Sequence, residues 1–374
     1  MNARAVVYSL ALFVAVASPA QKLSPRPILP LGDLAPGRDM TTARAGHTST
    51  ILPDFRVLIA GGIDAKGNVL ASTEIYDPNE ETFTSAAKMT IPRQGHIAAV
   101  LSDGKILIAG GEEEDPKTTY RTALFSSEDY DFESGKFTRR GNMHARRVRA
   151  AVSTLRDGSP LVTGGTDNTG SLDSAETYSV LTGKWTLVGK MISPRVSHTS
   201  TLLQDGRVLI VGGVGHGRDV LATAEIYDPK TKQFSPAGSM HQARCFHTAA
   251  LLTNGKVLIA GGFNYFQKGE LATAEIYDPA TSSFTQIGNM AEARYQLPAA
   301  SILLDGRALV VGGAATAEVL DPIAGTFRPV EGSLDMARFE CAAIQLMDGS
   351  VRIFGGYDHK TYRATAKTWV YRVK

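Results

Sequence analysis

Cysteine is nearly absent, with only Cys245 and Cys341 in 374 residues, so no disulfide framework holds this chain and the fold must rest on packing. The two stand at different positions of the internal repeat, which suits two small buried side chains better than a bridge. Aromatic residues make up 7% and tryptophan is confined to Trp185 and Trp369, so a broad aromatic platform for long glycans is disfavoured. Charge of one sign is also missing: the chain carries 39 basic and 37 acidic residues, and this balance gives no support to nucleic-acid binding or a membrane-surface role. The one long apolar run, Ala5 to Ala17, is too short to span a bilayer. Preceded by Arg4 and followed by small residues, it reads as a signal peptide over residues 1–20, cleaved after Ala17 or Ala20. A secreted or periplasmic location is expected, without membrane insertion, with residues 21–27 as a short linker.

What is abundant is glycine, and its placement is periodic. Gly-Gly pairs begin at 61, 110, 164, 212, 261, 312 and 355, about fifty residues apart, the mark of a repeat architecture. An arginine stands 17 residues before six of the pairs (Arg44, Arg93, Arg147, Arg195, Arg244, Arg338), and Arg294 stands 18 before its own. Between arginine and glycines lie two apolar runs, strands a and b. They are separated by Asp-Gly or Asn-Gly in six units and by Asp54-Phe55 in the first, which predicts two-residue hairpin turns with positive φ. Strand b, such as VLIAGG, is apolar throughout and so is buried on both faces. Strand c follows as EIYDP or a variant, then strand d, opened by Phe83, Phe137, Trp185, Phe234, Phe284 or Phe327. Four strands per unit make one blade, and the outer-strand aromatic plugs the gap between blades.

The di-glycine at Gly61-Gly62, Tyr76, the outer-strand aromatic Phe83 and their equivalents in the other units resemble the kelch repeat, in the form found in bacterial proteins. The resemblance implies an all-β, seven-bladed β-propeller of four-stranded blades over residues 28–374. Because the seventh unit lacks a strand d, the N-terminal segment Ile28 to Met40 is expected to complete the last blade and close the ring.

In such a molecule a unique site has to break the symmetry. The seven arginines, the histidines at 47, 96, 198 and 247, and the glutamates that open strand c recur, and so are assigned to blade geometry. The arginines also stand on the face of the b-to-c loops. An incompletely neutralised ring of them would favour an acidic peptide, acidic sugar or other anion. Blade 6 has almost no b-to-c loop, which predicts a notch. Tyr265 and Phe266 wall it on one side, Tyr357, Asp358 and His359 on the other, and Arg294, Tyr295, Gln296, Arg338 and Glu340 form its floor. The acidic run Glu112 to Asp115 is expected to neutralise the basic segment Arg139, Arg140, Arg146, Arg147 and Arg149, and the loop holding His216 and Arg218 to be a glycine-rich turn.

No motif marks a metal or a cofactor. Copper radical oxidases carry kelch-like propellers but need tyrosine, histidine and a cysteine cross-linked to tyrosine, and no such cluster is evident here. The leading expectation is a monomeric, non-enzymatic, exported binding or scaffold propeller. Its partner would be a protein or a small anionic or sugar ligand, met on the arginine-ringed loop face. The alternative is a kelch-type sugar mutarotase or epimerase acting on an acidic sugar, using Glu340 with Arg338 or Arg294.

Overall fold

A computed structural model describes residues 30–115, 120–266, 269–295 and 299–374. The signal and linker segments, Gln267 and Gln296 lie outside these ranges. Residues Leu31–Lys374 form one compact unit of seven antiparallel sheets, each with a core of four strands in the order a-b-c-d. In blade 1 these are Thr48–Ile51, Val57–Ala60, Thr73–Asp77 and Thr82–Ser85. Strand b is buried along its whole length in every blade, because its two faces pack on the neighbouring blades. The core is accordingly a series of inter-blade clusters. One joins Leu58 and Ala60 of blade 1 to Ile106, Ile108 and Tyr130 of blade 2.

The a–b turns differ from the two-residue form. Gly104 N–H donates to Leu101 C=O and Leu101 N–H to Lys105 C=O, a three-residue loop in which the glycine alone has positive φ, at 82°. This is a type I turn with a bulge glycine. The preceding Asp103 carboxylate accepts from Lys105 N–H, which explains the Asp-Gly spelling. In blade 1 Phe55 takes the glycine's place at φ 69°, a strained substitution.

The Gly-Gly pairs stitch the blades. The second glycine's N–H donates to the backbone carbonyl of the next blade's arginine: Gly62 to Arg93, Gly111 to Arg147, Gly165 to Arg195, Gly213 to Arg244, Gly262 to Arg294, Gly313 to Arg338 and Gly356 to Arg44. The last of these closes the circle. At Gly62, φ is 90° and a Cβ would lie 2.6 Å from Ala45 C=O, so no side chain fits.

The arginine side chains are pillars within their own blades. Arg195 is fully buried and donates to Gly212 C=O at 2.9 Å, Thr223 C=O at 2.9 Å and the Glu225 carboxylate at 2.7 Å. Glu225 in turn accepts from the N–H groups of Ile192 and Ser193. Blades 1 to 6 repeat this pairing, with strand-c glutamates at 74, 128, 176, 225, 275 and 318. In blade 7 Asp335 takes the glutamate's part toward Arg338.

Closure is as the sequence predicts. Asp33–Pro36 pairs antiparallel with Thr368–Arg372 as strand d of blade 7. A fifth strand goes beyond that expectation: Glu331–Gly332 pairs in parallel along the outside of Asp33–Leu34. Gly332 is required there, since a Cβ would lie 2.0 Å from Leu34 C=O.

Candidate functional site

The residue two places after each pillar arginine decides what surrounds the axial mouth. Backbone N–H groups at this position donate to the C=O of the same position one blade back: Gly46 to Glu340, Gly95 to Gly46, Arg149 to Gly95, Ser197 to Arg149 and Phe246 to Ser197. Every described member of this girdle adopts a left-handed conformation, with Gly46 at φ 63° and Gly95 at 58°. Arg149, Ser197, Phe246 and Glu340 carry side chains at φ 52°, 56°, 53° and 51°, each at a cost of about 1 kcal/mol. Four of the ten described non-glycine residues with positive φ stand on this one ring.

Two of those side chains meet across the mouth. Arg149 of blade 3 donates to Glu340 of blade 7 at 2.6 Å; the arginine is 37% exposed and the glutamate 9%. Arg149 also lies over the Phe246 ring, 5.4 Å from its centroid. The pair lines two cavities. An outer one of about 460 Å³ is completed by Gln94, Glu112, Arg121, Val148, Thr166, Tyr357 and Tyr362. An inner one of about 160 Å³ reaches Gly46, Gly95, His47, His96, Ser197, His198 and Cys341. In the outer cavity Arg121 stands 3.6 Å from Glu112, which also accepts from the Gln94 amide. Burial, reinforced by the Glu340 charge, pushes the Tyr357 phenol up to about 12, so it remains a hydrogen-bond donor at neutral pH.

Of the predicted site residues, Glu340 and Tyr357 line this outer cavity. Arg294 and Arg338 do not face the mouth. Arg294 is fully buried on Thr316 C=O at 2.6 Å and Glu318 at 3.0 Å, and Arg338 is buried on Asp335. The expected ring of accessible guanidinium groups is thereby corrected: in blades 1 to 6 each arginine is buried on its blade's carbonyls and a buried strand-c glutamate, and in blade 7 Arg338 is buried on the partly exposed Asp335. Glu340 takes Arg149 as its partner instead. The walls of the predicted notch join through ring contacts rather than standing apart. Tyr265 packs on Phe263 at 4.9 Å, Phe263 on Tyr295 at 5.4 Å, Tyr295 on Phe339 at 4.8 Å and Phe339 on His359 at 5.3 Å. Phe266 is 72% exposed, and Asp358 stands 4.0 Å from Arg338.

The acidic run does not neutralise the basic segment. Glu112 and Glu114 face Arg121, whereas Arg140 pairs with Asp129 and Arg147 with Glu176. His216–Arg218 is a short 3₁₀ turn. Cys245 and Cys341 are both buried and free. The signal that could have found Arg149 is the girdle position itself: lined up, the repeats read Gly, Gly, Arg, Ser, Phe, Gln, Glu there.

The histidines behind the girdle are held neutral. Burial, with the nearby pillar arginines, pushes His47, His96 and His198 down to about 3. His96 and His198 each share a hydrogen bond with a threonine hydroxyl, of Thr48 and Thr163. The unfolded chain takes up these protons below about pH 6.5 and the folded chain does not. Stability is therefore complete above pH 6.5 and falls toward pH 3, by about 1.4 kcal/mol per pH unit for each histidine. Urea midpoints between pH 6.5 and 4.5, above the carboxylate range, should show that slope, and His198→Gln should make it shallower by one histidine's share.

Comparisons with known proteins agree with this architecture. The KLHDC2/KLHL20/DRC7 Kelch-repeats domain model matches residues 46–262, more than half the chain. The chain belongs to the kelch-repeat family. A Kelch motif model matches residues 244–291. Beta-scruin of Limulus polyphemus is 45% identical over 51 residues, which is 14% of this kelch chain and 6% of beta-scruin, a stretch about one repeat long. Among solved structures, a fungal alcohol oxidase of the AA5 family in complex with copper superposes with a TM-score of 0.74. The match covers 92% of this chain and 76% of the oxidase at 18% identity, a likeness of fold. Among the described residues no group of three or more His, Cys, Asp or Glu is placed to hold a metal ion.

Proposed function

We propose that this kelch propeller is an exported binding protein that takes its ligand at the girdle, over the Arg149–Glu340 pair. The observation that carries this reading is the strained ring itself. Four side chains are kept in a left-handed backbone that two neighbouring blades satisfy with glycine, and two of the four form an ion pair over a cavity of ligand size. Export rests on Arg4 and the apolar run behind it. No helix among the described residues is long and apolar enough to cross a membrane.

Thermal-shift measurements against neutral sugars, acidic sugars and acidic peptides test the reading. A ligand at a hundred times its dissociation constant adds about 2.7 kcal/mol to stability. The expected result is a rise in Tm for the native chain that disappears in the Arg149→Gln, Glu340→Gln double variant. A rise that survives both changes places the ligand elsewhere. A second reading, sugar mutarotation, draws on the same cavity, with the Glu340 carboxylate as base and the Tyr357 phenol as acid. It requires faster anomer interconversion by the native chain than by Glu340→Gln.

A further inference from the structure

We infer, building on the girdle as the binding site, that the ligand is an uncharged saccharide. The lining decides the class. Among the described residues the outer cavity is lined by two arginines and two glutamates, so this lining is neutral as a set, and each arginine stands beside a glutamate, at 2.6 Å for Arg149–Glu340 and 3.6 Å for Arg121–Glu112. An anionic ligand must compete with a carboxylate already in place and meets a second one; a cation faces the same difficulty with the arginines. An uncharged polyol meets neither obstacle. Its hydroxyls donate to carboxylate oxygens and accept from guanidinium N–H at once, so both pairs stay intact while their unused hydrogen-bonding capacity is taken up.

The remaining walls point the same way. Val148 is the one aliphatic side chain among the described residues of the lining, with Tyr357 and Tyr362 on the blade 7 side. Flat tyrosine rings suit the C–H face of a pyranose and leave no apolar pocket for a peptide side chain. Strand addition by a peptide is also closed off, because the described girdle amides are spent on blade-to-blade hydrogen bonds. Depth is set by the glycines. Gly46 and Gly95, girdle positions without side chains, line the inner cavity of about 160 Å³ together with Arg149 and Glu340. A ring substituent could be lodged there.

Isothermal titration of the whole chain tests this, with glucose, galactose, mannose, N-acetylglucosamine and their disaccharides in one arm and glucuronate and N-acetylneuraminate in the other. At least one uncharged sugar should bind with an affinity indifferent to salt. Glu340→Gln should weaken it by roughly 10- to 100-fold, the loss of one or two charge-assisted hydrogen bonds. Gly95→Ser puts there the side chain that Ser197 carries at a similar φ, 56° against 58°; its Cβ would stand 3.2 Å from Val148 Cγ1 and 3.6 Å from Arg149 Cγ, so its binding is read beside an unchanged urea midpoint. It should weaken binding by narrowing the inner cavity. A disaccharide tighter than its monosaccharide identifies a glycan end, and equal affinities identify a free sugar; either supports the class. Tight, salt-sensitive binding of the acidic sugars alone overturns the uncharged ligand and leaves the girdle reading standing, as does silence from both arms beside a peptide that stabilises the chain. Sugar binding untouched by both variants overturns the girdle reading.

Discussion

Deletion of residues 31–40 should abolish cooperative folding of the propeller. The segment supplies strand d of blade 7, with four residue pairs to Thr368–Arg372. It also buries Leu34 and Met40 in two separate clusters, one under blades 6 and 7 and one against blade 1. Further ties are Gly37 N–H to Thr368 C=O, Met40 N–H to Ala366 C=O, and the Tyr371 hydroxyl to Leu31 C=O. Without it the C-terminal strand becomes an exposed edge ready to pair with another chain. Size-exclusion chromatography and denaturant unfolding should report oligomers and a broadened transition. Appending residues 31–40 after Lys374 through a short turn should restore a monomer, because Asp33 lies opposite Arg372 in an antiparallel register. A deleted chain that melts as sharply and as high as the intact one would show the clasp to be dispensable.

Arg195→Met should cost about 3–5 kcal/mol, the loss expected when one member of a buried ion pair is removed and the other stays behind. Glu225, 2% exposed, would then face its site with only two backbone donors, and the carbonyls of Gly212 and Thr223 would lose their shared partner. Adding Glu225→Gln should recover part of the loss, and a double-mutant cycle on urea midpoints measures the coupling. The contrasting case is Arg207–Asp205, at 37% and 45% exposed, where the same truncation should cost below about 1 kcal/mol. Equal losses at the two pairs would contradict the assignment of the repeated arginines as pillars.

These two expectations concern what the sequence displays openly. Seven Gly-Gly pairs, the arginines in register before them and a seventh unit short of a strand are enough to predict the blades and their closure, because backbone geometry repeats and repetition can be counted. The buried role of the arginines follows from the same logic of symmetry. What stays hidden depends on where loops travel. Arg149 and Glu340 are 191 residues apart, and only the circular path of the chain brings them face to face. The aromatic loop of blade 5 and the Tyr295 and Phe339 rings are visible as types of residue, but their mutual packing depends on side-chain directions that no spacing encodes. Glu331–Gly332 is invisible for a different reason: two residues beside a strand carry no periodic signal.

The separation between pillars and girdle has a consequence for how this molecule can change. Pillar and di-glycine positions are locked by contacts on every side, whereas the girdle position asks only for a left-handed residue and admits glycine, serine, phenylalanine, arginine and glutamate alike. On the proposed reading, specificity is thereby written in a short alphabet on a ring whose letters can be exchanged one blade at a time. A lineage, or an engineer, can retarget such a propeller by editing these places while the frame that displays them stays constant.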